Sequence, residues 1–253
     1  MSDTQVRIAR TEEHPRVARE AGMNLAIFDV DGTLLDNMKS EDVCYAAALR
    51  AGFGLTSLDT DWGGYEHVTD EGVAIEAHRR AFGHAPSAER MAQTVDHFVL
   101  LLADAHARAP LKQIPGAAAL LAALPEHGWI PALATGAWGR AARFKLAAAG
   151  LPFDNLPLAT AEDGPARIAI AQAAWARAMR GGPAFERVVL VGDRVWDAAA
   201  ARALGLPFVG RASRERAAEL RSCGAGAVLA DYTDLGTVLA AFKTAVVPLA
   251  TTP

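Results

Sequence analysis

Two aspartates separated by a single residue follow a short apolar run near the start of the chain. The run at 25–30 is LAIFDV, which is typical of a buried strand. Asp29 is its second-to-last residue, and Asp31 follows the run directly. Carboxylates so close together repel each other strongly unless a cation lies between them. We therefore expect a divalent cation that prefers oxygen ligands, Mg²⁺ above all, with Gly32 letting the backbone bend close to the ligand.

A second pair of aspartates lies far along the chain, in the stretch VGDRVWD at 191–197. Asp193 follows another β-branched run. Asp197 lies at the start of the helical pattern that comes next, where it has either a role in the site or only the role of a helix cap. If the two strands are neighbours in a parallel sheet, Asp193 would meet Asp29 and Asp31 at one edge of that sheet.

The elements that must position these acids form an alternating pattern of strands and helices. Apolar, β-rich runs recur at 25–30, 129–135, 187–193, 206–211 and 227–231. Helical patterns, each with a glycine near its C-terminal end, lie between them at 116–128, 137–151 and 197–205. The alternation predicts an α/β fold with a Rossmann-like, doubly wound parallel sheet, which binds ligands at the carboxyl ends of its strands.

The interval between the first two strands breaks this rhythm, because roughly a hundred residues there contain no clear parallel strand. Its segments KSEDVCYAAALRAGF, TDEGVAIEAHRRAFG and APSAERMAQTVDHFVLLLADAHARA have helical periodicity. We therefore expect a helical cap over 38–110, a catalytic core formed by 23–37 and 111–253, and an N-terminal extension over 1–22.

Three motifs follow one another at the ends of the predicted strands: FDVDGTLLDN, ALATG and VGDRVWD. In this order they resemble the haloacid dehalogenase superfamily, in its phosphoglycolate phosphatase-like branch, and the resemblance covers about residues 24–231. It implies that Asp29 attacks phosphorus to form an aspartyl-phosphate and that Asp31 is the general acid and base. It also implies Mg²⁺ as the cofactor, held by Asp29, Asp31 and Asp193 with Asp197 behind them, the backbone carbonyl of Asp31 facing the metal.

Thr135 and Gly136 follow the strand WIPALA, where a hydroxyl and the next backbone N–H can donate to a phosphate oxygen at a helix N-terminus. The resemblance further implies a basic phosphate ligand, usually a lysine before the last metal-binding strand. The stretch 160–179 has no lysine, but Arg167 stands at a helix start where many relatives carry arginine. We expect Arg167 in this role; Lys145 is the alternative, and its ordinary role would be on a solvated helix face or in an ion pair.

The cap is expected to determine the substrate specificity. Its stretch 62–70, WGGYEHVTD, combines glycines, aromatic rings and polar groups before a helix, and its Thr69 and Asp70 resemble a loop that approaches the leaving group in relatives. At least one of the two is expected to cap that helix instead. The seven histidines lack metal-ligand spacing, and His67 is the one candidate for substrate contact. Trp175 and Trp196 are expected to pack.

Composition excludes several other classes of protein. With 51% hydrophobic and 21% charged residues the chain is globular, and its formal net charge of −4 favours neither nucleic acid nor a membrane surface as partner. Cys44 and Cys223 are too few for a disulfide framework and are expected to be reduced and structural. The charged N-terminus has no apolar signal region, so we expect a cytoplasmic protein.

The expected function is a Mg²⁺-dependent phosphatase of a small phosphorylated metabolite, phosphoglycolate or another small phosphate monoester, acting as a monomer or homodimer. Three alternatives stay open. A phosphomutase has the same constellation of residues. A haloacid dehalogenase needs neither the second acid nor the metal, so Asp31 argues against it. A non-catalytic binding protein would not need acids at every motif position, so the complete set argues against it.

Overall fold

The computed structural model describes residues 22–36, 38–180, 182 and 184–249, with the side chains of 38–40 and 214–215 outside that description. Except for Gly22, the extension expected over 1–22 therefore lies outside the described residues. In the described part, a parallel sheet has the order β3-β2-β1-β4-β5-β6. Its strands are β1 (Asn24–Phe28), β2 (Trp129–Ala134), β3 (Leu158–Ala159), β4 (Val188–Gly192), β5 (Phe208–Arg211) and β6 (Ala227–Leu229).

This strand order confirms the doubly wound fold. β1 pairs in parallel with β2 on one side and with β4 on the other, with Phe28 opposite Val191, so the two strands that carry the motif aspartates are neighbours as expected. Their near-continuous apolar sequences, NLAIF and VVLVG, are those of strands covered by helices on both faces. The carboxyl ends of β1, β2 and β4 therefore meet at one edge.

Helices pack on both faces of the sheet. They are α1 (Met38–Phe53), α2 (Asp70–Phe82), α3 (Ala88–Arg108), α4 (Ala117–Ala123), α5 (Gly139–Ala148), α6 (Arg167–Ala178), α7 (Val195–Ala203), α8 (Arg214–Ser222) and α9 (Leu235–Thr244). Phe28 packs with Phe242 of α9, while the preceding residue Ile27 packs with Ile170 of α6 on the opposite face. Successive β1 side chains thus anchor the two helical layers.

Two local predictions were wrong. The strand β3 was missed because two residues are too few to show any periodicity. The helix predicted over 116–128 is shorter, because α4 ends at Ala123 and a 3₁₀ turn, Leu124–His127, follows. Pro125 lies in the first turn of that segment and has no N–H to continue the α-helical hydrogen bonds.

The inserted region is helical, as the periodicity predicted: α1, α2, α3 and a 3₁₀ turn at Trp62–Gly64 lie between β1 and β2. The segments before and after the insertion lie side by side. The Asp36 N–H of the first donates to the Lys112 carbonyl of the second at 2.8 Å. The insertion shares an apolar cluster with the segment after β2, in which Phe98 of α3, Leu49 of α1 and Trp138 are fully buried.

Both cysteines are free thiols, Cys44 being buried inside the inserted region and Cys223 half-buried. Among the described helices, none has the length and apolar character needed to cross a membrane.

A glycine pair tests how tightly the segment after the insertion packs on the core. Gly116 has a φ of +83°, and a Cβ there would lie 2.4 Å from the backbone carbonyl carbon of Tyr232. Gly128 has a φ of +76° with no atom within 4 Å of such a Cβ. We expect Gly128→Ala to cost about 1 kcal/mol of unfolding free energy through backbone strain alone, and Gly116→Ala at least about 2 kcal/mol more.

Urea unfolding of both variants measures this difference, because each substitution adds the same methyl group in the same backbone region. Equal losses of stability in the two variants would contradict the close approach of Gly116 to Tyr232.

Candidate active site

Three buried carboxylates meet at the carboxyl edge of the sheet. Asp29 directly follows β1, Asp193 directly follows β4, and Asp197 lies in the first turn of α7. One oxygen from each carboxylate lies within 4.8 Å of the others, and each residue is at most 4% exposed. Asp197 belongs to this acidic cluster, and its Oδ2 also accepts a hydrogen bond of 3.1 Å from the Arg194 N–H at the start of α7, as a helix cap would.

Burial and mutual repulsion both act against the charged forms of these acids. Burial raises the pKa of Asp29 well above its ordinary value, repulsion by Asp197 raises it further, and Arg167 opposes the shift. Burial and Asp197 raise the pKa of Asp193 to about 7 against the attraction of Arg194. Arg167 compensates only part of this repulsion, so the cluster favours binding either a proton or a further cation.

The cluster fits Mg²⁺ on three counts. Carboxylate oxygens are the ligands that Mg²⁺ prefers. Asp193 Oδ1 is buried and has no hydrogen-bond partner among the described residues. A Cβ at Gly32, whose φ is +81°, would lie 2.2 Å from Asp193 Oδ2, so only glycine leaves the carboxylate its place.

The carboxylate of Asp31 lies apart from this cluster. Its Oδ2 accepts a hydrogen bond of 2.6 Å from Lys145 Nζ, and the same ammonium group contacts Glu41 of α1. The Asp31 side chain is thus not placed as a metal ligand, which leaves its backbone carbonyl for the expected contact with the metal.

Lys145 is completely buried, and its charge is matched locally. Burial lowers its pKa, but the attraction of Asp31 and Glu41 outweighs burial, so the pKa is raised and the lysine stays charged. The ion-pair role considered for Lys145 from the sequence is the one that its position shows.

Arg167, at the start of α6, lies against the acidic cluster. Its Nη1 donates to Asp29 Oδ1 at 2.7 Å and lies 3.6 Å from Asp197 Oδ1. The guanidinium packs flat over Gly136, where a Cβ would lie 2.8 Å from Arg167 Cζ. Arg167 thus contacts both Asp29 and Gly136, and because Arg167 and Gly136 also line a cavity, a phosphoryl group bound there beside Arg167 would lie close to Asp29.

Thr135 and Gly136 lie at the end of β2, next to β1. Thr135 is buried, and its hydroxyl accepts a hydrogen bond from the Ala137 N–H at 3.1 Å, which holds the loop in a tight turn. The carbonyl of Gly136 accepts a hydrogen bond of 2.7 Å from the N–H of Asp70. The inserted region is therefore hydrogen-bonded directly to this loop.

A cavity of about 100 Å³ lies between the inserted region and the core. It contains residues that the sequence motifs singled out together with residues that they did not. The described residues that line it are Asp31, Glu41, Asp42, Tyr45, Trp62, Val68, Thr69, Asp70, Gly136, Ala137, Arg167, Arg194 and Trp196.

The three cap residues singled out from the sequence lie in different environments. Thr69 caps α2 by accepting from the Gly72 N–H at 3.1 Å, and its hydroxyl donates to the Pro165 carbonyl at 2.8 Å. Asp70 lines the cavity, and its Oδ2 accepts from the Trp138 N–H at 2.9 Å. Burial raises the pKa of Asp70 to about 7. His67 is described but is not among the residues that line the cavity.

Sequence reasoning missed what α1 and Trp196 contribute to the cavity. Glu41, Asp42 and Tyr45 line the cavity from the first two turns of α1. The spacing of four between Glu41 and Tyr45 places them on one helix face, but it does not indicate which neighbour that face meets. Trp196 also lines the cavity rather than only packing, whereas Trp175 packs beside β1 and α6.

A family model described as haloacid dehalogenase-like hydrolase matches residues 23–205. The chain therefore belongs to the haloacid dehalogenase-like hydrolases. Solved structures share its fold. A hydrolase from Pseudomonas syringae superposes with a TM-score of 0.64 at 23% sequence identity, over 88% of this chain and 99% of that one.

CbbY from Rhodobacter sphaeroides in complex with phosphate superposes with a TM-score of 0.64 at 21% identity, over 87% of this chain and 99% of that one. A mutant of CbbY in complex with xylulose-(1,5)bisphosphate gives 0.63 at 21% identity, over 85% and 96% of the two chains. At such identities the similarity establishes the fold alone. No protein with a curated description matches the chain significantly.

Removing or adding Mg²⁺ should change the stability of the chain in a pH-dependent way. Metal-free, the folded protein holds protons on Asp193 and its neighbours that the unfolded chain has lost, so its stability falls as the pH rises from about 4 to about 7. Mg²⁺ binds the deprotonated carboxylates, so its stabilising effect should be larger near pH 8 than near pH 6. We expect saturating Mg²⁺ to raise Tm by about 5 °C near pH 8.

Thermal unfolding with Mg²⁺ and with chelator measures this effect. Asp193→Asn should lose the response to Mg²⁺ while remaining folded, because it also removes a buried charge. Asp104→Asn, at an exposed position of α3, is the matched control and should keep the response. A full response in the Asp193 variant would rule the cluster out as the metal site.

Proposed function

We propose that this hydrolase is a Mg²⁺-dependent phosphatase that hydrolyses a small phosphate monoester through an aspartyl-phosphate on Asp29. In this proposal, 38–110 is a cap over a catalytic core formed by 23–37 and 111–253. The observation that carries the proposal is the separation of the two acids of the first motif. Asp29 lies with Arg167 in the acidic cluster, whereas Asp31 lies with Lys145 at the cavity.

The residues that would hold the metal are Asp29, Asp193 and Asp197, with the backbone carbonyl of Asp31. Bound Mg²⁺ supplies positive charge that neutralises the nonbridging oxygens of the phosphoryl group. Arg167 adds a planar pair of N–H donors on the same side, next to the attacking oxygen of Asp29. The Thr135 hydroxyl and the backbone N–H of Gly136 donate to the remaining phosphate oxygen.

The first step forms the bond between Asp29 carboxylate oxygen and phosphorus while the ester bond between phosphorus and the alcohol oxygen breaks. The leaving alkoxide takes a proton from the Asp31 carboxyl group, whose side of the cavity lies away from the acidic cluster. The Thr33 hydroxyl, which donates to Asp29 Oδ2 at 3.1 Å, keeps the nucleophile oriented for this attack.

The second step hydrolyses the aspartyl-phosphate. Asp31, now ionised, accepts a proton from water as the water oxygen attacks phosphorus, and the bond between phosphorus and the Asp29 oxygen breaks. Inorganic phosphate leaves, and the two aspartates return to their starting states. Lys145 donates to Asp31 Oδ2, an oxygen that accepts in both protonation states, and so holds the Asp31 side chain in the same position through both steps.

The comparisons support phosphate chemistry by analogy. CbbY, which has this fold, was crystallised with phosphate and with xylulose-(1,5)bisphosphate. A cavity of about 100 Å³ in this chain favours a small leaving group. The substrate class is therefore a small phosphate monoester, with phosphoglycolate as its carboxylate-bearing member.

Replacing the nucleophile should abolish turnover without harming the fold. Asp29→Asn removes the attacking carboxylate, and we expect phosphate release to fall by at least roughly a thousandfold. The unfolding free energy should stay the same or rise in the absence of metal, because burial and neighbouring acids already disfavour the Asp29 charge. The measurement is release of inorganic phosphate from a panel of small phosphate monoesters, with Mg²⁺ and with chelator.

Asp154→Asn, at an exposed position of the core, is the matched control and should keep its activity. A folded, active Asp29 variant would overturn the assignment of the nucleophile. Transfer of phosphate between sugar phosphates with little release of inorganic phosphate would favour the phosphomutase instead.

Replacing Arg167 and replacing Lys145 should affect different properties, the first activity and the second stability. Arg167→Ala removes the guanidinium beside Asp29, so we expect kcat/KM to fall by about 10²–10³-fold and inhibition by inorganic phosphate to weaken strongly. Lys145→Met leaves Asp31 and Glu41 buried without their cation, so we expect a loss of about 3 kcal/mol in unfolding free energy, with inhibition by phosphate retained. Steady-state kinetics and urea unfolding test both; weakened phosphate inhibition in the lysine variant alone would reverse the assignment.

A further inference from the structure

Glu41 lies where the inserted region meets the core. It belongs to the first turn of α1, its side chain is 12% exposed, and it lines the cavity. Its Oε1 contacts Nζ of Lys145, which belongs to α5 and lies 104 positions further along the chain. This contact joins the inserted region to the same ammonium group that binds Asp31.

The second carboxylate restricts where the Lys145 ammonium can lie. A lysine ammonium is a point charge on a flexible four-carbon stem, with three donors that rotate. A single acceptor therefore leaves the position of Nζ loosely defined. Here Asp31 Oδ2 accepts at 2.6 Å from the loop after β1, and Glu41 Oε1 accepts from α1, so Nζ is held between two elements of the fold.

The contact between Glu41 and Lys145 does not depend on whether Glu41 is charged. Burial and the neighbouring charge of Asp31 raise the pKa of Glu41, while Lys145 lowers it. In either protonation state the carboxyl group keeps an oxygen that can accept from the ammonium. The restraint on Lys145 is therefore geometric, and it persists through changes of protonation around it.

The position of Lys145 in turn decides how Asp31 faces the cavity. Asp31 Oδ2 is engaged by an ammonium group, which only donates. The proton that Asp31 gives to the leaving alkoxide in the proposed first step is then carried by Oδ1. Proton transfer requires that oxygen to lie within hydrogen-bond reach of the ester oxygen, so a displaced Lys145 would misplace the acid.

We propose that Glu41 is a positioning residue, which through Lys145 holds Asp31 in place for proton transfer to the leaving group. The inserted region thus completes the general acid of the core. The proposal rests on the phosphatase function proposed above and concerns the acid–base step of the same site. Glu41 acts through Lys145 and takes no part in the proton transfer itself.

The leaving group distinguishes this role from a purely structural one. The alkoxide of phosphoglycolate needs a proton as it leaves, whereas the acetate of acetyl phosphate is stable without one. We expect Glu41→Met to lower kcat/KM at least roughly tenfold for phosphoglycolate, or for the alkyl phosphate of the panel that is hydrolysed fastest. For acetyl phosphate kcat/KM should change by less than about threefold, because the attack by water follows the steps that kcat/KM reports.

Two further variants and a matched control complete the test, all in the full-length enzyme with Mg²⁺. Glu41→Gln is close in size to Glu41→Met but keeps an acceptor for Lys145, so its kcat/KM for the alkyl ester should stay within about threefold of the original. Glu41→Ala also lacks the acceptor and should repeat the Glu41→Met result. Glu89→Met, exposed in the first turn of α3 and outside the described cavity lining, should match the original enzyme with both substrates. Urea unfolding checks that each variant is folded.

The outcomes separate the two proposals. Losses of equal size with the alkyl ester and acetyl phosphate, no loss with either, or equal losses in Glu41→Met and Glu41→Gln would overturn the positioning role and leave the phosphatase intact. Hydrolysis of acetyl phosphate with no alkyl ester turned over would do the same, because no leaving group would then need the acid. If the original enzyme hydrolyses no phosphate monoester and no acetyl phosphate with Mg²⁺, the phosphatase function is wrong and the positioning role falls with it.

Discussion

The structure depends on how it balances buried negative charge at one edge of the sheet. Isolated buried carboxylates cost several kcal/mol each unless a partner compensates them. The chain divides its acids between two places, with Arg167 beside Asp29 and Lys145 beside Asp31. In the function proposed above, this division gives one aspartate to the phosphate and metal side and the other to the leaving-group side.

A short loop after β1 can serve both places only because distant strands hold it in shape. Arg211 of β5 donates to the Gly32 carbonyl at 2.7 Å, and the Tyr232 hydroxyl, beyond β6, donates to the Thr33 carbonyl at 3.0 Å. These contacts satisfy buried carbonyls that the tight turn leaves without partners. The loop that carries Asp29 and Asp31 is therefore held in shape by contacts that lie outside its own sequence.

The sequence predicted the sheet, the helical insertion and the meeting of Asp29 with Asp193, because parallel strands bring their carboxyl ends to one edge whatever lies between them. It did not predict Asp42 or Trp196 at the cavity. Their positions depend on how the inserted helices dock on the core, and helical periodicity shows which face is apolar but not what that face meets. The burial of Lys145 was not predicted for the same reason, because its partner Glu41 comes from the insertion.

The position of the insertion and the shape of the loop after β2 depend on each other in this structure, because Asp70 contacts both sides of that loop. Its N–H donates to the Gly136 carbonyl and its carboxylate accepts from the Trp138 N–H, so the loop after β2 is held from both sides. The insertion cannot shift without breaking both hydrogen bonds. The contacts that hold the insertion in place therefore also hold the loop after β2, so the two sides of the cavity keep one relative position.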